Sequence, residues 1–336
     1  MSARPTIYDV ARLAGVSTAT VSRALNGTGQ IAPPTRAAIE AAVEQLGYRA
    51  NTIARSLVTK STQTIALLLP DIANPFYAAL VSGIQQHALS HGYTMLLCTT
   101  EGEAEREEQY LSLLRAQQVD GALVDGLRLP PDRIAGFVRD GFPIVCLDRD
   151  VDSDSIPLVQ VDNRLGGRLA TEHLIGLGHS RIGHVTGALD LGISEERLAG
   201  YSEALAAAGM PADPRLVAEG RFTEESGYEG VRALLEAAPD VTAVFAANDL
   251  SALGVLNALA ESGRRVPGDV SVVGFDDLRL SAFTTPPLTT IKQPAAEIAQ
   301  LATELLIGLT RGEPAGKVRH VLEPTLVVRE STAEPA

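Results

Sequence analysis

Tryptophan is absent from the 336 residues, aromatic side chains make up only 4%, and cysteine is limited to Cys98 and Cys146. Each cysteine sits in an apolar strand-like run and neither belongs to a CxxC pair, so both read as core thiols rather than as a disulfide, redox or metal site. No run approaches the roughly 18 consecutive apolar residues that a membrane helix needs, and the opening MSARPTIYDVA lacks the apolar stretch of a signal peptide. A cytoplasmic protein with no membrane partner is expected. Lysine is scarce, with Lys60, Lys292 and Lys317 the three among 28 basic residues, a bias that says nothing about chemistry. Catalytic signatures are also missing: there is no GxSxG elbow, no GxxxxGK[ST] phosphate loop and no HExxH. The Gly27-Thr28-Gly29 run follows a helical segment rather than a strand, which removes the context of a dinucleotide loop. His173, His179 and His184 stand six and five residues apart, a spacing that aligns on no helix face and lacks a paired-ligand motif. Neither an enzyme nor a resident cofactor or metal is expected.

What is present is enough for two or three folding units at roughly 100–200 residues each. Apolar residues at 45% and charged residues at 21% put the chain in the ordinary globular range. The net charge of −13 is uneven: residues 1–60 carry seven basic and three acidic groups, or +4, which leaves −17 for the remainder. A positive head on an acidic body predicts that only the head approaches a polyanion.

Residues 6–46 read as three short helices. Thr6 can cap IYDVARLA, Gly15 breaks the chain, Ser17 caps TATVSRALN, and TRAAIEAAVEQL ends at Gly47. The tight AGVS turn makes the first two a helix-turn-helix candidate. On the second helix Val21, Ala24 and Leu25 fall on one side and Thr18, Ala19, Ser22 and Arg23 on the other. A small, polar outer face with one guanidinium suits the major groove; an ordinary solvated helical hairpin is the alternative. Residues 49–60, RANTIARSLVTK, read as a linker.

From residue 64, short apolar runs such as TIALLLP, GALVDG and AVFAAND alternate with helical stretches at 75–91, 103–117, 194–208, 224–237 and 249–262. That rhythm predicts parallel sheets covered on both faces, and nine such runs exceed one sheet, so two α/β subdomains are expected with a cleft at the strand C-terminal ends. Polar residues recur at those ends: Asp71 and Asn74, Asp148 and Arg149, Asn248 and Asp249, Asp276 and Asp277. Around a shared cleft they could bind the hydroxyls of a small ligand, with Phe76 or Phe222 as stacking faces. Alternatively, each could simply cap the helix that follows.

TIYDVARLAGVSTATVSRALNG resembles the DNA-binding head of the LacI/GalR family of bacterial transcription regulators. The likeness continues through NTIARSLVTKST, NPFYAALVSGIQQ, GHSRIGHVTG, FTEESGYEGVRALL, AVFAANDLSALGVLNALAESGRRVPGDVSVVGFDD and PPLTTIKQP, and so spans nearly the whole chain. It implies a homodimer that binds double-stranded operator DNA, with a helix-turn-helix head at 1–48 and a hinge at 49–61. The implied body resembles periplasmic sugar-binding proteins, its N-subdomain comprising 62–161 and 292–322 and its C-subdomain 162–291 and 323–336. By position, the resemblance assigns Thr18, Ala19 and Arg23 to bases and Thr20, Ser22 and Asn26 to phosphates. Ala54 and Leu57 fall on the hinge positions from which the family inserts leucine into the minor groove. The implied effector set is Phe76, Asp148, Arg149, Arg197, Phe222, Asn248 and Asp276. Where the purine-binding branch carries polar contacts, this chain has Leu191-Gly192-Ile193, which points to a sugar or nucleoside and to an inducer. A sugar-binding protein or sugar-acting enzyme on the same body is the competing reading.

Overall fold

The computed structural model describes residues 5–26, 30–48, 61–117, 119–126, 128–149, 151, 155–314 and 318–336. These fall into two compact units, one ending at Thr62 and one beginning at Gln63.

The head is built from α1 (Ile7–Ala14), α2 (Thr18–Asn26) and α3 (Pro33–Leu46). The Asp9 carboxylate accepts hydrogen bonds from the Thr6 amide (2.9 Å) and hydroxyl (2.7 Å), closing the first turn of α1 on itself. Gly15 ends α1 in the left-handed region, at φ 69°, where a side chain would be strained. Two residues later the Ser17 hydroxyl accepts from the Thr20 amide at 3.1 Å and starts α2. The tight turn expected from AGVS is thus a C-cap followed directly by an N-cap. Val10, Ala11, Val21, Ala24, Ile39 and Ala42 form the buried centre of the head, so each helix contributes two residues to one small core.

The body holds two six-stranded sheets. The first has the order β11-β5-β4-β3-β1-β2, with β1 Thr64–Leu69, β2 Thr94–Thr99, β3 Gly121–Asp125, β4 Ile144–Leu147, β5 Leu158–Val161 and β11 Arg319–Leu322. Its connecting helices are α4 (Pro75–Ser90), α5 (Ala104–Ala116), α6 (Pro131–Arg139) and α11 (Ala295–Thr310). The second has the order β12-β10-β9-β8-β6-β7, with β6 Ile182–Val185, β7 Val217–Ala218, β8 Ala243–Ala246, β9 Ser271–Asp276, β10 Thr289–Lys292 and β12 Thr325–Val327. Around it lie α7 (Asn163–Gly176), α8 (Gly192–Ala207), α9 (Glu224–Ala237) and α10 (Asp249–Glu261).

Strands β1, β3, β4, β8 and β9 read as unbroken apolar runs because both faces of each sheet are covered by helices, leaving nearly every strand residue buried. All pairings are parallel except that of β10 with β12, which is antiparallel because β12 arrives from the other sheet rather than through a helix. The LVAEGRF run yields only the two-residue β7, since a 3-10 turn at Pro214–Leu216 takes up its start. The chain passes between the sheets after Val161, after Lys292 and after Leu322. All three crossings leave strands at the same end of each sheet, so the lobes are hinged along one side and the strand ends face one cleft.

Candidate functional sites

On the head, Val21 and Ala24 of α2 are buried, Leu25 is packed against the core, and Ala19 and Arg23 are exposed. Thr18, Thr20 and Ser22 are half-buried, and the Thr20 hydroxyl is spent on Ser17 at 2.9 Å. The outer face therefore presents small groups around one guanidinium, whose Nε makes only a long 3.4 Å contact to the Ala19 carbonyl of its own helix. Such a face lets a helix approach base edges closely, with the arginine fork left for guanine or phosphate. The side chain of Asn26, and Ala54 and Leu57, lie outside the described residues.

In the body, Arg197 is the centre of the cleft. It stands on α8, 4% exposed, where its Nε donates to Asn163 Oδ1 (2.9 Å) and its Nη1 to the Ala247 carbonyl (2.6 Å). Its guanidinium lies 3.5 Å over the Phe275 ring and 5.6 Å from that of Phe222, a stacked arrangement that lysine could not reproduce. The depth depends on two glycines. A Cβ at Gly167 on α7 would overlap the Arg197 carbonyl, and one at Gly200 on α8 would overlap that of Arg164, so the two helices touch backbone to backbone.

Two buried carboxylates, Asp276 and Asp125, and the half-buried Asp148 act on Tyr77, and Asp276 and Asp148 also act on this arginine. Asp276, at the end of β9, accepts from Gln293 Nε2 at 2.6 Å; burial, with the charges of Asp249 and Asp148, pushes it up to about 7 against the pull of Arg197 and Gln293. Asp148 and Asp125, at the ends of neighbouring strands β4 and β3, are both held above the usual carboxylate range by burial, and Asp125 also by the Asp148 charge. Asp148 adopts φ 51° and its Oδ1 accepts from the Val161 amide (3.0 Å), tying it to the first crossing. Tyr77 on α4 feels the charges of Asp125, Asp148, Asp276 and Arg197 and is raised well above the ordinary phenol value, chiefly by burial. Two buried polar atoms of this region have no protein partner: Gln293 Oε1 and the Ser194 hydroxyl, which sits one turn before Arg197 on the same face of α8.

The other expected residues have more divided tasks. Asn248 caps α10 through Ser251 (2.9 Å) and donates to the Phe222 carbonyl (3.1 Å), so the capping alternative holds for its side-chain oxygen. Phe222 takes φ 63°, and its ring fills the space a side chain at Gly187 would need. Phe76 packs with Leu250 and Leu278 across the two lobes and meets Tyr77 edge to face at 5.5 Å. Arg149 reaches the Leu129 carbonyl at 3.0 Å. Asp249, beside Asn248, is pushed up to about 6 by burial and binds Leu278, Ser281 and Thr290, which fixes the loop after Asp276. Sequence reasoning missed Asp125, Asn163, Ser194, Gln293 and Tyr77. Directly after Leu191-Gly192-Ile193, Ser194 supplies a buried hydroxyl. His173 and His179 tie the C-terminal tail through Thr332 (2.9 Å) and the Ala333 carbonyl (2.9 Å), while His184 is buried on β6 against Phe245. Among the described residues no group of His, Cys, Asp or Glu could hold a metal ion.

Residues 6–51 match the family described as bacterial regulatory proteins, lacI family, and residues 171–332 a periplasmic binding protein-like domain. The chain is 43% identical over 335 residues, 98% of each sequence, to the HTH-type transcriptional regulator CelR of Thermobifida fusca. The chain belongs to the LacI family. It is 37% identical over 97% of its length to the ribose operon repressor of Haemophilus influenzae, of which 98% is covered. Among solved structures it resembles a lac repressor dimer bound to operator and the anti-inducer ONPF (TM-score 0.88, 31% identity, 98% of this chain and 100% of that one). It also resembles a CelR–cellobiose complex (TM-score 0.75, 40% identity, 98% and 100%). With a lacI-type head joined to such a body, the chain is a ligand-responsive, DNA-binding transcriptional regulator. The reading of the body as a sugar-binding protein without DNA-binding function falls with the match at 6–51. Among the described residues no helix is long and apolar enough to cross a membrane.

Proposed function

We propose that this LacI-family regulator is a cytoplasmic, non-enzymatic, homodimeric repressor that leaves a pseudopalindromic operator when a neutral polyhydroxyl ligand, a sugar or nucleoside, enters the cleft. One observation carries the ligand class: polar acceptors gather around Arg197 and Tyr77. Asp125, Asp148, Asp276 and Gln293 Oε1 offer lone pairs, and Arg197 is the one buried cation among them. Ligand hydroxyls can donate to these carboxyl and amide oxygens and can also accept from the guanidinium. The relatives support the same class, since one is solved with cellobiose and a LacI-family regulator of Enterococcus faecium with ribose.

The proposed effector contacts are Asp148, Arg197, Asp276, Phe222 and Phe76, joined by Asp125, Ser194 and Gln293. Asn248 and Arg149 position the walls. On DNA, Thr18, Ala19 and Arg23 read bases, Thr20, Ser22 and Asn26 lie near phosphates, and Ala54 and Leu57 form the minor-groove wedge. A single reading helix per head calls for two heads on a two-fold site. Ligand and operator are coupled because each favours a different arrangement of the lobes, with typical coupling of about 1–3 kcal/mol.

The test is an operator titration at fixed salt, with DNA from the gene's own upstream region, alone and with saturating cellobiose, ribose or cytidine. Weaker binding with a sugar or nucleoside is expected. Tighter binding would make the ligand a corepressor, and no response to any neutral polyol would overturn the ligand class.

A further inference from the structure

The rim of the cleft is bridged by charge. Arg128 follows β3 in the first lobe and Asp190 follows β6 in the second, and the two meet in a two-pronged ion pair: Nη1 with Oδ2, and Nη2 with Oδ1 at 3.3 Å. The three crossings that hinge the lobes lie at β5, β10, β11 and β12, at one end of both sheets. The pair follows β3 and β6, which stand away from the hinge edge in both sheet orders, so a change in lobe angle moves the two residues apart.

The first-lobe half of this pair is held on a prepared base. Glu107 of α5 is completely buried, an unusual position for a carboxylate, and its oxygens accept from the backbone amides of Arg128 (2.9 Å) and Leu129 (2.7 Å). Arg149 grips the same loop through the Leu129 carbonyl. A buried charge and a second arginine are thus spent on fixing the backbone from which Arg128 reaches across, while the arginine side chain itself remains 36% exposed.

We propose that Arg128 and Asp190 are specificity-determining residues of the cleft: they fasten its outer rim, so that a ligand ending inside the rim is sealed in and a longer one must part the pair. This rests on the reading of the cleft as the effector site. Both residues act by closure and not by contact with the ligand's core, which lies with Arg197 and Asp276.

The test uses the full chain as Asp190→Asn, Arg128→Glu and the swapped pair Arg128→Glu/Asp190→Arg. Without any ligand, amide exchange of residues 187–191 should quicken in each single variant and slow again in the swap, and raising salt should quicken exchange in wild type but not in Asp190→Asn. In calorimetric titrations with cellobiose and cellotriose, each single variant should bind cellobiose about 1.5- to fivefold more weakly, the range an exposed ion pair supports. The preference for cellobiose over cellotriose should shrink by the same factor, and the swap should recover both. Unchanged exchange in the single variants, or a loss the swap fails to recover, overturns the proposal. If wild type binds neither sugar, cellobiose is not its effector, and the ligand-free exchange series decides the role of the pair by itself.

Discussion

Replacing Asp276 with asparagine separates what this residue does for the ligand from what it does for the fold. Its Oδ1 already accepts from Gln293, which the asparagine oxygen can continue to do, so the packing and that bond survive. What disappears is the negative charge and one carboxylate oxygen. A hydrogen bond from a ligand hydroxyl to an ionised acceptor contributes about 1.5–3 kcal/mol, so affinity should fall by about ten- to 150-fold. Stability should move the other way. Burial raises Asp276 to about 7, so in the folded protein its ionised form is disfavoured; between the ordinary value and 7 the folded chain holds a proton that the unfolded chain has lost. Stability from this group therefore decreases as pH rises towards 7, and above 7 the full penalty is in place. Asparagine carries no such penalty, so at pH 8 the variant should melt at or above the wild-type temperature. The assays are calorimetric titration with cellobiose, or whichever sugar first releases the operator, and thermal unfolding at pH 5 and pH 8. Wild-type affinity in the variant, or a lower melting temperature at pH 8, would refute the reasoning.

The same proton predicts that ligand affinity in wild type rises with pH from 6 to 8 and then levels, because a ligand that donates hydroxyls selects the carboxylate; titrations in buffers of different ionisation enthalpy should show proton release on binding, and Asp276→Asn should abolish the slope. Gly167→Ala forces α7 away from the Arg197 carbonyl and should lower stability by about 1–3 kcal/mol while moving Arg197 enough to weaken ligand binding, checked by denaturant unfolding and titration. Ile39→Ala removes a fully buried side chain from the six-residue core of the head, at a cost of about 2–5 kcal/mol; operator binding should vanish while ligand binding by the separately packed body persists. If Arg23 reads a base, Arg23→Ala should lose about 1–3 kcal/mol on the operator and relax one symmetric position, whereas equal weakening on random DNA would reassign it to phosphate.

Much of the architecture is local and therefore readable in the chain. Helices expected at 75–91, 103–117 and 249–262 occur at Pro75–Ser90, Ala104–Ala116 and Asp249–Glu261, since caps and periodicity act within a few residues. The recurrence of polar residues at strand ends led to Asp148, Asn248 and Asp276 for the same reason. Sheet order is not local. Asp125 closes an apolar run and looks like one more strand residue until β3 is seen to lie beside β4, which sets its carboxylate in the field of Asp148. Gln293 reads as a polar residue in a Pro-containing loop, and its task appears only because the second crossing brings it to Asp276. Glu107 is the sharpest case: it lies among Glu105 and Glu108 in a charged helix, and nothing in that pattern marks it as the carboxylate that is buried.

The way the two lobes are threaded has a consequence for synthesis on the ribosome. The three helices of the head, with the Gly47 cap and Tyr48 that packs on their core, are in hand once residue 48 has been made. Neither lobe of the body is in hand so early. The first sheet waits for β11 at 319–322 and for α11, which covers it, and the second waits for β12 at 325–327 and for Ser331, whose amide-accepting hydroxyl receives the Thr289 N–H at 2.8 Å. A nascent chain therefore carries the three helices of the head long before either lobe can close its sheet. A frameshift or stop codon just before β11 would spare every residue of the head and leave both lobes unfinished. Such alleles should be lost through unfolding of the body and its proteolysis, not through any change in the surface that meets DNA.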